Sequence, residues 1–212
     1  DTKLPESPDS TAKIDIFKKL EFKQLLDQVD VEGTHTSAEE LELEITSDFS
    51  NVDFNELSEA TIHFELDGSN YLKDDILKFA LYDGSNHVVI DADKVHDYPE
   101  LIAWLENDKT EKIVYDAKKS YIVAHRLDIA IKHIVFDVML ASYIIDPSRT
   151  IDDVNSVVSY FDQHYVKESI EVFGKGKKRH VPEDDILDHH VGTIIEAINK
   201  TKPKMEAQLE EY

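Results

Sequence analysis

ATIHFELDGSNYLKDDILKFALYDGSNHVVIDA (residues 60–92) decides the fold. Three runs in it alternate polar and apolar residues, the period of a strand whose two faces meet different surroundings. The first strand is expected over 59–67. The second, ILKFALYDG (76–84), turns at Asp83-Gly84, and HVVIDA (87–92) returns as the third. Short turns between them make an antiparallel meander.

Downstream the period changes. DYPELIAWLEND (97–108) reads as a helix with Pro99 in its first turn and the sole tryptophan, Trp104, on its apolar side. KIVYD (112–116) is a buried-looking strand, 117–127 a helix, HIVFD (133–137) a fifth strand, and VMLASYIID (138–146) a helix that stops before Pro147. Asp137, between strand and helix, suits an N-cap. TIDDVNSVVSYFDQHY (150–165) is helical, and a long helix is expected from about 183, interrupted near Pro203. Three antiparallel strands followed by β-α-β-α predict an α/β fold: a mixed five-stranded sheet with helices on both faces, the ribonuclease H-like arrangement. Tyr121, Tyr143 and Trp104 read as core.

Upstream, residues 1–13 are polar and rich in Pro and Ser, and IDIFKKLEFKQLLDQV (14–29) is a short amphipathic helix by its spacing. Residues 30–56 are acidic with little period. The expected organisation is therefore a linker over 1–56 and a folded unit over 57–212, starting near Leu57. The chain opens at Asp1 without Met and ends in KMEAQLEEY, so both ends read as internal to something longer.

Composition narrows the function. Forty-five acids against 23 Lys and Arg give a formal charge of −22, which opposes broad, nonspecific binding to phosphate backbones. With no Cys there are no disulfides and no thiolate metal sites, which suits a reducing cytoplasm. No run approaches the ~18 apolar residues of a membrane span. One basic cluster interrupts the acidity, GKGKKRH (174–180), whose Lys175, Lys177, Lys178 and Arg179 are candidate phosphate contacts. The adjacent His189 and His190 cannot share one helix face as a metal pair, and they read as surface residues.

FDVMLASYIIDP (136–147) resembles the F-D-T-M-L-x-x-Y-L-L-D-P stretch of the 3′–5′ exonuclease domain of bacterial DNA polymerase I, of the Gram-positive, Bacillus-like type. VYDAKKS (114–120) before it, and FGKGKK, VPEDD and a closing helix after it, fall in the same order. IFKKLEFKQLL (16–26) is similar to the tail of that family's 5′-nuclease region. Nearly the whole chain is covered.

The resemblance implies a site. Exonucleases of this family hold two divalent metals on four carboxylates, roughly 3.5–4 Å apart, to activate water and steady the leaving oxygen. The D-x-E motif on strand one corresponds here to Phe64 and Leu66. Ser120 takes the place of the next Asp, with Asp116 at the Asn position. The Y-x-x-x-D of the last helix falls on His190 and Ile194 in DHHVGTIIEAI (188–198). All four acids are missing, so the resemblance implies a degenerate, catalytically silent site with no metal. It also implies a parent chain that copies DNA with Mg²⁺ in replication and repair. This piece would be a cytoplasmic, monomeric platform for the polymerase domain of the same chain, meeting DNA through the parent. Glu65 and Asp67 stand one residue out of phase, on the wetter face of the strand. A second reading remains: an active metal-dependent 3′–5′ exonuclease in which a β-bulge turns Glu65 and Asp67 toward Asp116. A third is a free-standing acidic interaction module.

Overall fold

The computed structural model describes residues 43–148, 153–162 and 166–211. The expected amphipathic helix at 14–29 lies outside the described residues.

Among the described residues six strands form one mixed sheet, not five. They are β1 (Ile45–Thr46), β2 (Glu59–Leu66), β3 (Ile76–Tyr82), β4 (His87–Asp91), β5 (Glu111–Val114) and β6 (Ile134–Asp137), in the order β1-β4-β3-β2-β5-β6. The meander β2–β3–β4 is antiparallel, whereas β5 and β6 add in parallel beyond β2. The extra strand, β1, pairs in parallel with β4 through Ile45 opposite His87. The compact unit accordingly begins at Leu43, ahead of the expected Leu57. Residues 43–56 are no linker, because their few apolar side chains are tied down. Phe49 and Val52 are buried, Phe49 meets the Tyr98 ring edge-on at 5.0 Å, and Trp104 donates its indole N–H to the Leu57 carbonyl at 2.7 Å.

Two layers of helix cover the sheet. On one face lie α1 (Pro99–Glu106) and α2 (Ala117–Arg126), packed over Ile62, Phe64, Phe79, Leu81 and Ile90. The other face carries α3 (Val138–Ile145), α4 (Val154–Asp162), the short α5 (Ser169–Phe173) and the long α6 (Asp184–Leu209). Asp137 caps α3, accepting from the Leu140 amide, and its carboxylate also accepts the amides of Asp116 and Ala117. One side chain thus joins the start of α2 to that of α3. Helix α6 is continuous through Pro203. Trp104 is core as expected, but Tyr121 and Tyr143 are exposed, because each sits on the outer face of a helix buried on one side only.

Polar bonds lock α6 to the sheet. Lys78 on β3 reaches Asp91 at 2.6 Å, Asp188 at 3.0 Å and Asp184 at 3.3 Å. Burial disfavours its charge, yet the bonds to Asp91 and Asp188 outweigh that and hold its pKa above the usual lysine value. His87 meets Glu196 at 3.2 Å, and Asn199 donates to Thr61. Gly192 lets α6 approach β1, since a Cβ there would lie 2.4 Å from the Ile45 side chain.

Lys112, 0% exposed on β5, has no carboxylate within ion-pair distance among the described residues. It donates to the carbonyls of Asn107 and Thr110 and to the Thr110 hydroxyl, with its ammonium over the Trp104 ring. Burial pulls its pKa down to about 8, against the opposing charge of Asp108. Between about pH 8 and the ordinary lysine value near ~10.4, the unfolded chain binds more protons at this site than the folded one. Stability relative to Lys112→Met therefore rises as pH climbs through that window, measurable by urea unfolding at its two ends. Phe64→Ala, which empties a site 2% exposed against Phe79, is expected to cost about 3–5 kcal/mol of stability, read from the urea midpoint.

Candidate functional site

A cleft of about 460 Å³ opens where β2 and β5 end, between them, α6 and the segment around α5. In open α/β sheets the carboxyl ends of strands are where ligands bind. Which face of β2 meets this cleft follows from the pleat. Ile62, Phe64 and Leu66 belong to the core beneath α1 and α2, so Thr61, His63 and Glu65 point the other way, toward α6.

The expected placement of Phe64 and Leu66 is thus corrected. Phe64 packs on Phe79 and Leu66 belongs to the same core; only the edge of Leu66 touches the cleft. They fill the far side of the sheet, not a former metal site. His63 and Glu65 hold the cleft-facing positions, two residues apart on one face. Nor is Glu65 on a wet surface: it is 8% exposed, because helices cover both sides of β2.

The local chemistry is a closed dyad. His63 Nε2 lies 2.8 Å from Glu65 Oε1. Burial holds the His63 ring below the ordinary histidine value. Burial alone would raise the Glu65 carboxyl, but the His63 bond and the charges of His190 and Lys119 outweigh it and the net direction is downward. A neutral imidazole beside a carboxylate can only donate, so Nε2 carries the proton. Lys119 and His190 line the same cleft, and burial depresses both. Tyr115 adds a phenol driven upward by burial and by the nearby carboxylates of Asp153, Asp116 and Asp137.

Of the other expected positions, His190 and Ile194 do line the cleft, one turn apart on α6. His190 is 5% exposed, not a surface residue. Ser120 is buried and spends its hydroxyl on the Asp116 carbonyl at 2.9 Å. Asp116 lines the cleft from a left-handed conformation (φ 75°) and caps α2, accepting from the Lys119 amide. Asp67 does not join them; it pairs with Arg179. The pairing of β2 with β3 does shift register between Glu65 and Leu66, but the extra residue, Leu77, sits on β3 and leaves the alternation of β2 intact. Glu65, Asp67 and Asp116 therefore do not converge, and among the described residues no three His, Asp or Glu are placed to hold a metal ion. The donors present do not fit two hard dications.

The basic segment is a 3₁₀ turn, Gly176–Lys178, entered through Gly174 at φ 83°, where a Cβ would press on the Lys178 carbonyl at 2.8 Å. Arg179 is committed, stacked 5.1 Å over Phe173 and paired with Asp67, while Lys175, Lys177 and Lys178 are exposed. His63, Lys119 and Tyr115 were not foreseen from the sequence; the signal available was H-x-E, two polar residues on one face of an otherwise apolar strand.

No helix among the described residues is long and apolar enough to cross a membrane. Solved structures share the fold. Brucella melitensis NrnC superposes with a TM-score of 0.63 at 15% identity, covering 79% of this chain and 81% of that one. A structure described as the POL domain of Pol1 from M. smegmatis in complex with DNA primer-template and dNTP gives 0.54 at 12% identity, over 72% of this chain and 24% of that one. Among curated proteins, DNA polymerase I of Bacillus subtilis is 31% identical over 93% of this chain but 23% of its own length. The chain thus spans under a quarter of the curated relatives it matches. The model of the "DNA polymerase I, ribonuclease H-like domain" family matches residues 62–201, spanning the meander, the cleft and most of α6, and the chain belongs to that family.

Proposed function

We propose that this domain is a catalytically silent 3′–5′ exonuclease-like module of a bacterial DNA polymerase I, serving as a structural platform for the DNA-directed polymerase domain of the same chain. The observation that carries the reading is the cleft-facing set itself. Where a proofreading exonuclease needs four converging carboxylates, this cleft offers a histidine-bound Glu65, an Asp116 that caps α2, Asp153 and Ile194, with Ser120 buried outside the lining and turned to its own helix. Acids that are tied to a histidine and to helix starts, and that do not converge, cannot steady two dications at an attacking water and a leaving oxygen. In this reading the Mg²⁺ of the parent protein works in the polymerase domain, in cytoplasmic replication and repair, and DNA meets this module through the parent. Similarity to whole DNA polymerase I chains supports that setting.

The basic turn is the module's own meeting point with phosphate. Lys175, Lys177 and Lys178 carry it, and Arg179 holds the turn in place through Asp67 and Phe173. Exposed ammonium groups bind backbone phosphate by releasing counterions, so the interaction is salt-sensitive and sequence-blind.

Two outcomes test these statements. Calorimetric titration with Mn²⁺, with single-stranded DNA followed in the same samples, is expected to show no saturable heat and intact DNA; two bound metals with shortened strands would restore the displaced-carboxylate exonuclease. Replacing Lys175, Lys177 and Lys178 with Ala is expected to flatten the dependence of single-strand affinity on log salt by about 0.7 for each ammonium–phosphate pair removed. An Arg179→Ala exchange that flattened it equally would move the phosphate-binding role to Arg179.

A further inference from the structure

Helix α3 carries no charge and is apolar on both sides. Val138, Ala141 and Ser142 are buried against the domain, while Leu140, Tyr143 and Ile144, at i, i+3 and i+4, form a second stripe on the opposite face. Leu140 is 55% exposed and Ile144 58%. A helix that is apolar all round belongs inside a protein, covered on every side. The strand that feeds it extends the surface. β6 is the last strand of the sheet, Val135 on it is exposed, and no charge precedes Asp137 in IVFD (134–137). Open sheet edges are ordinarily guarded by charges, prolines or a covering element.

Charge narrows what covers this face. No Lys or Arg stands between Lys132 and Arg149, so the surface offers phosphate no counterion release and an anionic membrane no attraction. A second copy brings a formal charge of −22 against another −22, and net charge of that size keeps chains apart. The remaining occupant is an apolar protein surface held close by a tether, which raises its effective concentration to roughly millimolar without help from charge.

α6 is placed to be that tether. Its C-terminal half runs beside β6 and α3: Lys202 lies 5.5 Å over the Phe136 ring, and Leu209 in the last turn packs on the same cluster as Ile145. A segment joined to that end of α6 starts next to the α3 stripe. The matched region is 23% of the Bacillus subtilis polymerase, so most of such a chain lies outside this domain.

We propose that the outer face of α3, with the β6 edge, is the surface on which the polymerase domain of the same chain docks. The proposal rests on the reading of this module as a platform for that domain, and the test tells the two failures apart.

The chain has no Cys, so a single thiol can be placed on it at will. Leu140→Cys, Ile144→Cys and, for reference, Leu72→Cys on the β2–β3 loop, 68% exposed, are labelled with a maleimide in this chain and in the parent polymerase chain. Peptide mass spectrometry reads each site. Labelling of Leu140→Cys and Ile144→Cys is expected to slow about tenfold or more in the parent, with Leu72→Cys unchanged. Adding Ile144→Asp to Leu140→Cys is expected to restore the rate, and to leave the urea midpoint of this chain alone unchanged because the residue is exposed. Labelling that does not slow, slows equally at Leu72→Cys, or stays slow with Ile144→Asp overturns the α3 assignment. Amide exchange compared across this domain in the two chains separates the failures. Protection on another face overturns the α3 assignment alone, and no protection anywhere overturns the platform reading with it. A dimer of this chain in sedimentation that Ile144→Asp disperses assigns the face to a second copy and also overturns the proposal.

Discussion

Strand β2 is covered on both faces, and the rest of the domain is arranged around that constraint. It is hydrogen-bonded to β3 on one side and β5 on the other, and every residue from Ala60 to Leu66 is buried. A central strand in this position cannot place polar side chains in water on either face, so each must find a partner inside the protein. Ile62, Phe64 and Leu66 answer by being apolar, contributing about 1.5–3 kcal/mol apiece toward the core under α1 and α2. Thr61, His63 and Glu65 answer by bonding, Thr61 to Asn199 and His63 to Glu65.

The second half of the architecture is α6 lying across the other face. Apolar packing through Leu187, Val191, Ile195 and Ile198 supplies most of the attachment. Its register along the sheet is set by polar pairs, since apolar packing alone tolerates being shifted. Lys78 gathers Asp91 from β4 with Asp184 and Asp188 from the first turns of α6; His87 takes Glu196 two turns later. Those pins bring His190 and Ile194 opposite His63 and Glu65, so the cleft is a product of helix register as much as of strand order.

Membership of the polymerase family does not by itself assign the cleft an activity. Chains of this fold include RNase D, and the polar groups lining this cleft include Glu65 bound to His63, Asp116, Asp153, His190 and Lys119.

Much of the fold was legible because periodicity reports faces. The strands at 59–67, 76–84 and 87–92, and the helix boundaries at Pro99, Asp137 and Pro147, follow from alternation, capping and proline chemistry that act within a few residues. What stayed hidden needed the third dimension. Residues 43–56 look like a linker by composition, and only the docking of Phe49 and Val52 and the reach of Trp104 to Leu57 make them part of the domain. The alternation in HFEL separates two sets of side chains but cannot say which set faces the cleft, because both faces of β2 are covered. The sequence by itself determined the order of elements from β2 to α3 and the acidity of the chain, and the family resemblance set Ser120 and Ile194 where acids are expected. Tertiary structure alone decided that His63 and Glu65, not Phe64 and Leu66, look into the cleft, since the direction of a strand's faces is set by what packs on them.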